Sequence, residues 1–292
     1  MQQKIALVMS NYNDSHHLIN FLKCIYDNGW DEKEHRYFFP DEVIVIDDCS
    51  TDDSFRILKN IEESGQFPYL KVYKNEKNIG CHASLIEGAK LAESDFITGW
   101  SADDEVLPGY IKGIKGALGY NCSDVILCNA IIERDGGVYK KTVSKTMAYY
   151  SPDYLEKLWL SGTDFNTFGS VVRKTALISS WDLGKNLPTS FDWLYVWLPA
   201  FTSGLIQLPV YGVKVKAHFN SWGVRNGLKK DKEAVEMIYS ILDDFPEIKN
   251  RVIRSKIFTA FTRSRAFRHT CFRILMRSPL WFRRFIYRKF YK

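Results

Sequence analysis

The chain has 292 residues, of which 46% are hydrophobic and 25% charged, and this composition excludes a disordered protein. Its 18 Gly and 9 Pro exclude a collagen-like or low-complexity chain. The six Cys lie far apart, without metal-finger spacing, and we interpret them as buried or free thiols of a reducing compartment. Because the first residues lack a signal-peptide pattern, we expect a cytoplasmic protein.

The net charge of +6 conceals a strong asymmetry. Residues 248–292 carry 14 Lys or Arg and no Asp or Glu, whereas the other 247 residues carry 26 basic and 34 acidic side chains. The basic segment also holds ten aromatic residues, and several of its apolar side chains share one helical face. This pattern predicts attachment to an anionic membrane surface. The alternative is a segment that folds back onto the acidic body, and we do not expect nucleic-acid binding.

Short apolar runs alternate with helical patterns over the first 130 residues. The runs are typical of strands buried on both faces of a parallel sheet. Their alternation with helices predicts right-handed βαβ units and a doubly wound α/β sheet. The predicted strands are Ile5–Met9, Val43–Ile46, Tyr69–Tyr73, Phe96–Trp100 and Val125–Cys128, and the predicted helices are about Ser15–Tyr26, Asp52–Glu63, Gly80–Glu93 and Pro108–Leu118. Ser50 and Asp53 have the spacing of a capping box. Residues 30–40 are predicted to form a surface insertion.

Beyond residue 130 the pattern is looser. A hairpin is predicted at Gly136–Gly137, and a helix after Pro152. The stretch Trp193–Val213 has 21 residues without a charge and is long enough to cross a bilayer. Because several Pro and Gly residues interrupt it, we predict instead a buried helix that ends near Gly204 and a strand over Leu205–Val213.

Polar clusters follow three of the predicted strands, namely Ser10–Asp14, Asp47–Asp53 and Ser101–Glu105. The carboxyl ends of parallel strands meet at one edge of a sheet, where ligands bind. Asp and Glu are hard oxygen ligands that suit Mg²⁺ or Mn²⁺. The alternative for Asp47–Asp53 is helix capping, whereas three adjacent acids at Asp103–Glu105 repel one another unless solvated or bound to a cation. The pair His16–His17 is interpreted as a solvated helix face rather than a metal site.

Four short motifs, in this order, resemble the family 2 glycosyltransferases of the GT-A fold: Ser10-Asn11-Tyr12-Asn13, Asp47-Asp48-Cys49-Ser50, Asn78-Ile79-Gly80 and Ser101-Ala102-Asp103-Asp104. The resemblance covers about residues 4–220. It implies a GT-A domain over 1–220, with a nucleotide-sugar-binding half (1–130) and an acceptor-side half (131–220), followed by a basic helical region over 221–292.

The resemblance also implies an activity. Family members transfer a sugar, with inversion, from a nucleoside-diphosphate sugar, most commonly a UDP-sugar, with the aid of Mn²⁺ or Mg²⁺. We expect the acceptor to be a glycan or a lipid-linked sugar of surface polysaccharide or lipooligosaccharide synthesis, and the protein to be peripheral on the inner face of the cell membrane.

Residue by residue, the resemblance places Ser10 and Tyr12 in the nucleoside pocket. It implies that Asp48 accepts a hydrogen bond from the base and that Asp47 supports it. Asn78 and Gly80 belong to the same nucleotide-sugar site.

The remaining roles come from the second half of the site. Asp103 and Asp104 occupy the DxD region of the family, one meeting the ribose and the other the metal, although Ser101 stands where many members have Asp. Asp192 falls where the family places its catalytic base, with Phe191 where many members have an acid. Gly169, with Ser170, resembles the loop that approaches the donor sugar, and His218 resembles a histidine that completes the metal shell.

These roles agree with the chemistry of inverting transfer. One carboxylate takes the proton of the acceptor hydroxyl, and a divalent ion stabilises the departing diphosphate. Two alternatives remain: a sugar nucleotidyltransferase, disfavoured because the loop Ser10–Asp14 has neither Gly nor Lys, and a non-catalytic membrane-associated protein that binds nucleotide sugars.

Overall fold

The computed structural model describes residues 3–67, 69–134, 137–160, 165–187, 191–217, 233–234 and 236–249. Within the described residues up to 217 the chain forms one ten-stranded sheet, a separate two-stranded sheet and seven α-helices, and residues 233–234, 236–241 and 246–249 are also helical. His218 and nearly all of segment 248–292 lie outside the described residues. The strands are β1 (Ile5–Asn11), β2 (Trp30–Asp31), β3 (Arg36–Tyr37), β4 (Glu42–Asp47), β5 (Leu70–Lys74), β6 (Phe96–Trp100), β7 (Glu105–Val106), β8 (Val125–Arg134), β9 (Gly137–Lys141), β10 (Ala148–Tyr150), β11 (Val171–Arg173) and β12 (Leu205–Ala217). The helices are α1 (Ser15–Asp27), α2 (Ser54–Glu63), α3 (Cys81–Leu91), α4 (Tyr110–Leu118), α5 (Pro152–Leu160), α6 (Lys174–Gly184) and α7 (Phe191–Ser203).

Strand β1 shows why the core lies on both faces of the large sheet. Ile5, Leu7 and Met9 pack into the core on one face, and Ala6 and Val8 into the core on the other. All five side chains are fully buried. Because successive side chains of a strand point to opposite faces, a continuous apolar run is stable only where both faces are covered. The prediction made from these runs is confirmed.

The order of the strands places a crevice beside β1. This strand lies between β4 and β6 and is parallel to both, while β5 extends the parallel part beyond β4. The chain therefore builds the sheet to one side of β1 and then returns to the other side at β6. Ligands of open α/β sheets bind at such a reversal, beyond the carboxyl ends of the strands. The predicted doubly wound architecture is confirmed.

The other half of the sheet is mixed. Strand β11 is antiparallel to both β6 and β8, and β12 is parallel to β8 but antiparallel to β7 and β10. Strand β8 extends beyond its predicted end at Cys128 because β9 pairs with it as far as Arg134. The two strands of the predicted hairpin are therefore paired antiparallel, while residues 135–136 lie outside the described part, and a helix does begin at Pro152.

The start of α2 differs from the prediction. The helix begins at Ser54, and Ser50 is not its cap. The hydroxyl of Ser50 instead accepts hydrogen bonds from the Asn11 side chain (3.2 Å) and from the backbone N–H of Asn13 (3.0 Å). The capping-box interpretation was wrong because these donors come from the β1 loop, which the local pattern around Ser50 does not contain. Asp52 accepts from the N–H of Ser54 at 2.9 Å, so a side chain does serve this helix end.

The uncharged stretch Trp193–Val213 is divided between two elements, as predicted. Helix α7 ends at Ser203, and Gly204 follows with φ +80°, a left-handed conformation that ends a helix. Strand β12 begins directly afterwards. Among the described residues no helix is both long and apolar enough to cross a membrane. Residues 30–40 form the predicted insertion, which consists of the β2–β3 hairpin.

Candidate active site

Asp47 joins the end of β1 to the loop after β4. It is fully buried, and its carboxylate accepts a hydrogen bond from the side chain of Asn11 and one from the backbone N–H of Ser50, both at 3.0 Å. A buried charge is tolerated only when such donors surround it. The structure therefore brings Asp47 to the expected edge, where it holds two loops together.

Asp48 fixes the start of α3. One carboxylate oxygen accepts from the side chain of Asn75 and the N–H of Ile79, and the other accepts from the N–H of Gly80, all at 2.8 Å. Gly80 has φ +89°, which favours glycine at this turn, and Asn78 beside it is exposed. Asp48 is 2% exposed, so the expected contact with a nucleobase is to a carboxylate already bonded within the protein, and it stays a prediction.

Ser10 and Tyr12 lie on the neighbouring loop. Ser10 is half-buried, whereas Tyr12 exposes 49% of its surface. Asn13 stabilises this loop because its side-chain oxygen accepts from the N–H groups of Thr51 (2.8 Å) and Asp52 (3.3 Å). An exposed aromatic ring on an anchored loop can stack on a planar base.

Asp103 and Asp104 follow β6 at the same edge. Burial, with the neighbouring carboxylate of Asp103, raises the pKa of Asp104 to about 7, although the backbone N–H of Lys216 bonds to it. Two adjacent carboxylates repel each other when both are ionised. A divalent cation bound to their oxygen atoms would remove this repulsion. The donor set therefore fits Mn²⁺ or Mg²⁺.

Glu105 differs from its two acidic neighbours. It pairs with Lys216 at 2.8 Å and with Lys214 at 3.4 Å. Although partial burial opposes ionisation, these ammonium groups lower the pKa of Glu105. The sequence interpretation treated Asp103–Glu105 as acids without nearby lysines and missed this pairing, which arises because β7 pairs with β12. The alternation Lys214-Val215-Lys216 on a strand was the available signal.

Gly169 lies on a turn that buried side chains support. Its φ is +62°, and its carbonyl accepts a hydrogen bond from the hydroxyl of Tyr110 at 2.7 Å. Thr98 in turn donates to Tyr110 (2.9 Å), and the indole N–H of Trp100 donates to Thr98 (2.9 Å). Such a chain of donors in one direction strengthens each bond in it. These hydrogen bonds could not be predicted from the sequence, because the side chains that form them come from two separate elements, β6 and α4.

Asp192 is exposed in the first turn of α7, and buried aromatic side chains lie beneath it. The ring of Phe191 beneath it is 1% exposed and packs against Trp181 (5.1 Å between ring centroids), Tyr195 (5.2 Å) and His82 (5.4 Å). An aromatic Phe191, where the family often has an acid, thus anchors the helix start. An exposed carboxylate on a fixed helix turn can accept a proton from an incoming group.

Cys81 shows that the two halves of the site converge. Its thiol lies near the carboxylates of both Asp48 and Asp192. Burial raises the pKa of this thiol, and both carboxylates raise it further, although the residue as a whole is exposed. The start of α3 therefore connects the β4 loop, through the bond of Gly80 to Asp48, with α7, through the contact of His82 with Phe191. Tyr195, one turn after Asp192, bonds to Ser170 beside Gly169, which connects α7 to the supported turn.

Asp14, His16 and His17 form a separate surface cluster. Their potential ligand atoms lie within 4.8 Å of one another. Asp14 bonds to His17 at 2.7 Å and approaches His16 at 3.4 Å, and the His16 side chain is 70% exposed. The cluster is an internally bonded, largely exposed helix start, and the interpretation of the His pair as a solvated helix face stays a prediction.

Comparison with known proteins gives a family match and a fold match. A family model described as "Glycosyl transferase family 2" matches residues 6–179. Among curated proteins, an undecaprenyl-phosphate 4-deoxy-4-formamido-L-arabinose transferase of Pseudomonas syringae is 28% identical over 112 residues, 37% of this chain and 32% of that protein. A GalNAc(5)-diNAcBac-PP-undecaprenol β-1,3-glucosyltransferase of Campylobacter jejuni is 24% identical over 176 residues, 60% of this chain and 53% of that protein. The chain thus spans about a third to half of these relatives.

Among solved structures, S. aureus TarS in complex with UDP has a TM-score of 0.66 at 19% identity, covering 95% of this chain and 76% of that one. TarS in complex with UDP-GlcNAc has a TM-score of 0.65 at 18% identity, covering 97% and 79%. The sheet with its flanking helices is therefore the GT-A fold of these structures.

Proposed function

The chain belongs to glycosyl transferase family 2, and from this membership we propose that it transfers a sugar, with inversion, from a nucleoside-diphosphate sugar to a glycan or lipid-linked acceptor. The observation that carries the proposal is the start of α3, where Gly80 bonds to Asp48 at 2.8 Å and His82 contacts Phe191, the residue before Asp192, with 5.4 Å between ring centroids. This proximity supports a site in which the proposed base lies near the proposed donor-binding residues.

The donor is proposed to be a UDP-sugar. The exposed ring of Tyr12 can stack on the nucleobase. Ser10 and Asp48 lie at the same edge of the sheet, and Asn78 and Gly80 precede the start of α3, where Gly80 bonds to Asp48. The TarS structures of similar fold hold UDP and UDP-GlcNAc, which supports a uridine nucleotide as the donor.

The diphosphate end of the donor is proposed to lie near Asp103 and Asp104, with His218 as a further ligand of a divalent ion. When bound there, Mn²⁺ or Mg²⁺ would neutralise charge that develops on the leaving diphosphate. Asp192 takes the proton of the acceptor hydroxyl as that oxygen attacks the anomeric carbon. The turn at Gly169 is proposed to lie between the metal site and Asp192.

The acceptor is proposed to be lipid-linked, and the protein to be peripheral on the inner face of the membrane. Two of the relatives named above carry undecaprenyl-linked substrates in their names. Residues 248–292, with 14 cations and no acid, supply attraction to anionic lipid. Flotation of the full chain with phosphatidylglycerol vesicles tests this, with neutral vesicles and an R283E/R284E/R288E/K289E variant as controls. Equal flotation with neutral vesicles, or by the variant, contradicts the membrane proposal.

Thermal unfolding with UDP, GDP, dTDP and CMP, each with and without Mn²⁺, tests the donor site. We expect UDP with Mn²⁺ to raise the melting temperature, because a ligand at about 100 times its Kd stabilises by about 2.7 kcal/mol. The increase should vanish in D103N/D104N. Release of UDP in the presence of an acceptor separates a transferase from a binding protein: if UDP binds but no sugar is transferred or hydrolysed, the catalytic proposal fails.

A further inference from the structure

The loop that carries Asp103 and Asp104 is held at both of its ends. It begins directly after β6, and Asp104 donates its backbone N–H to the carbonyl of Ser101 at 3.3 Å. It ends at the two-residue strand β7, which pairs with β12 so that Glu105 lies opposite Lys214. Because Glu105 directly follows Asp104 in the chain, the position of both aspartates depends on where β7 is attached to β12.

A chain of ion pairs reinforces this attachment. The ammonium group of Lys216 lies 2.8 Å from a carboxylate oxygen of Glu105, and that of Lys214 lies 3.4 Å from the same oxygen. Lys214 is in turn 3.1 Å from Glu133 on β8. Side chains two residues apart on a strand share a face, so both lysines project from the same side of β12. Since β7 is antiparallel to β12, Lys216 lies beyond Lys214 in the direction of the Asp103–Asp104 loop.

The pair of Glu105 and Lys216 is too exposed to contribute much to the stability of the whole fold. The two side chains are 33% and 37% exposed, and ion pairs in such surroundings are weakened by water and salt. We therefore expect its effect to be local. Groups that hold metal-binding side chains in place affect the affinity for the metal strongly, because binding requires the ligand oxygens in fixed positions. None of the roles proposed above uses this pair.

We propose that the ion pair of Glu105 with Lys216 positions the Asp103–Asp104 loop for the divalent cation, and that both members are positioning residues. The proposal rests on the proposed function, since it concerns the site suggested there for the cation. In one competing explanation Glu105 is a third ligand of the cation. In another the pair only secures β7 against β12 and leaves the loop unaffected.

The direction of one effect separates these explanations. Lys216 is a cation, so its loss removes a charge that repels Mn²⁺ and, by electrostatics alone, strengthens the binding of the metal. If Glu105 were a third ligand, the loss of Lys216 would also free its carboxylate for Mn²⁺. Only a positioning role predicts that removing a positive charge beside the site weakens the binding of a positive ion.

Titration of the full-length protein with Mn²⁺ alone tests the proposal, with free Mn²⁺ measured by electron paramagnetic resonance. We expect K216M to weaken Mn²⁺ binding by about 10-fold, the lower end of the effects that follow when the support of a metal ligand is lost. K216R, whose guanidinium can still pair with Glu105, should bind within about twofold of wild type. Equal or tighter binding by K216M overturns the proposal.

The matched control is K115M, which removes an ion pair of similar length elsewhere in the fold. Lys115 of α4 pairs at 2.9 Å with Asp41, which directly precedes β4 and therefore lies at the opposite edge of the sheet. K115M should bind Mn²⁺ within about twofold of wild type, because a charge at that distance is screened.

A double-mutant cycle with E105Q shows whether the two residues act through each other. If they act as a pair, adding K216M to E105Q should not weaken Mn²⁺ binding further, because the pair is already lost. Further weakening in the double variant contradicts the proposal, since Lys216 would then act through another partner. Thermal unfolding without metal sets a titration temperature at which every variant is folded.

The outcomes separate this proposal from the proposed function. If wild type binds Mn²⁺ and K216M binds it equally well or more tightly, the positioning role fails while the proposed function stands. If wild type binds no Mn²⁺, with or without UDP, the metal part of the proposed function fails and the positioning role fails with it.

Discussion

Two pairs of carboxylates at the same edge of the sheet differ in how the protein treats them. Asp47 and Asp48 are at most 2% exposed and accept hydrogen bonds from the end of β1, the loop after β4 and the segment between β5 and α3. Asp103 and Asp104 are partly exposed, and burial together with the Asp103 carboxylate raises the pKa of Asp104. The first pair holds loops together, whereas the second pair offers the oxygen atoms of the proposed cation site. Acidic residues of similar spacing can therefore have opposite effects on stability.

The largest expected effect comes from Asp192, which belongs to neither pair. We expect D192N to lower kcat by about 10²- to 10⁴-fold, the contribution of a positioned base, with UDP binding and melting temperature unchanged. D182N on α6 is the control and should keep full activity. Turnover of D192N within a few-fold of wild type would move the base to another residue.

Removing the charge of Asp48 should break the first pair. In D48N an amide N–H₂ faces backbone and side-chain donors, so we expect a loss of about 2–3 kcal/mol in the free energy of unfolding, measured with urea. The matched control is D53N, because Asp53 pairs with Arg56 on the surface at 3.0 Å and is 66% exposed. That control should change stability by less than about 0.5 kcal/mol. Equal effects of the two variants would contradict the structural role of Asp48.

For Asp104 we expect the opposite effect, namely that replacing it with Asn raises the stability. Burial and the neighbouring Asp103 raise its pKa to about 7, well above the usual range of an Asp, so the folded protein binds a proton more tightly than the unfolded chain does. Stability from this group is present at low pH and is lost as pH rises toward 7. Without metal, D104N should therefore raise the melting temperature at pH 8 and change it less at pH 5. In wild type the apparent affinity for Mn²⁺ should increase with pH up to about 7 and then level off. A D104N variant that is destabilised at pH 8 would refute this account.

A smaller effect is expected from Tyr110, whose hydroxyl supports the turn at Gly169. In Y110F the carbonyl of Gly169 and the hydroxyl of Thr98 lose their shared partner. We expect a loss of about 1–2 kcal/mol in stability and a higher KM for the donor, with Y120F, an exposed tyrosine, as the control. An unchanged KM would show that the turn at Gly169 does not contact the donor.

The mildest test uses the thiol between the two halves. UDP with Mn²⁺ should slow alkylation of Cys81 by maleimide several-fold, because bound nucleotide would cover the crevice. Alkylation should also speed up as pH rises, since the thiolate is the reactive form and burial raises the pKa of Cys81. Exposed Cys122, in the loop after α4, should show no protection. Mass spectrometry of the two peptides measures both rates.

Most of the predictions that depended only on neighbours in the chain are confirmed by the structure, although the capping box at Ser50 is not. The continuous apolar runs of β1 and β4 required a sheet covered on both faces, and the Gly and Pro residues of Trp193–Val213 required a break at Gly204. The places of Asp48 and Asp103 after strands put them at one edge. Local periodicity and backbone restrictions suffice for such conclusions.

What the tertiary structure alone decided is the partner of each charged or polar group. Asp48 takes its donors from residues 27 to 32 positions away, and Glu105 takes Lys214 from 109 positions away. The ring of His82 meets that of Phe191, 109 positions away, because α3 and α7 both pack against α6. Whether a carboxylate is satisfied, paired with a lysine or left repelling a neighbour depends on the atoms within a few ångströms of it, and these come from distant parts of the chain. Sequence could therefore place the acids at the edge, whereas folding determined which of them support the site and which remain open to a ligand.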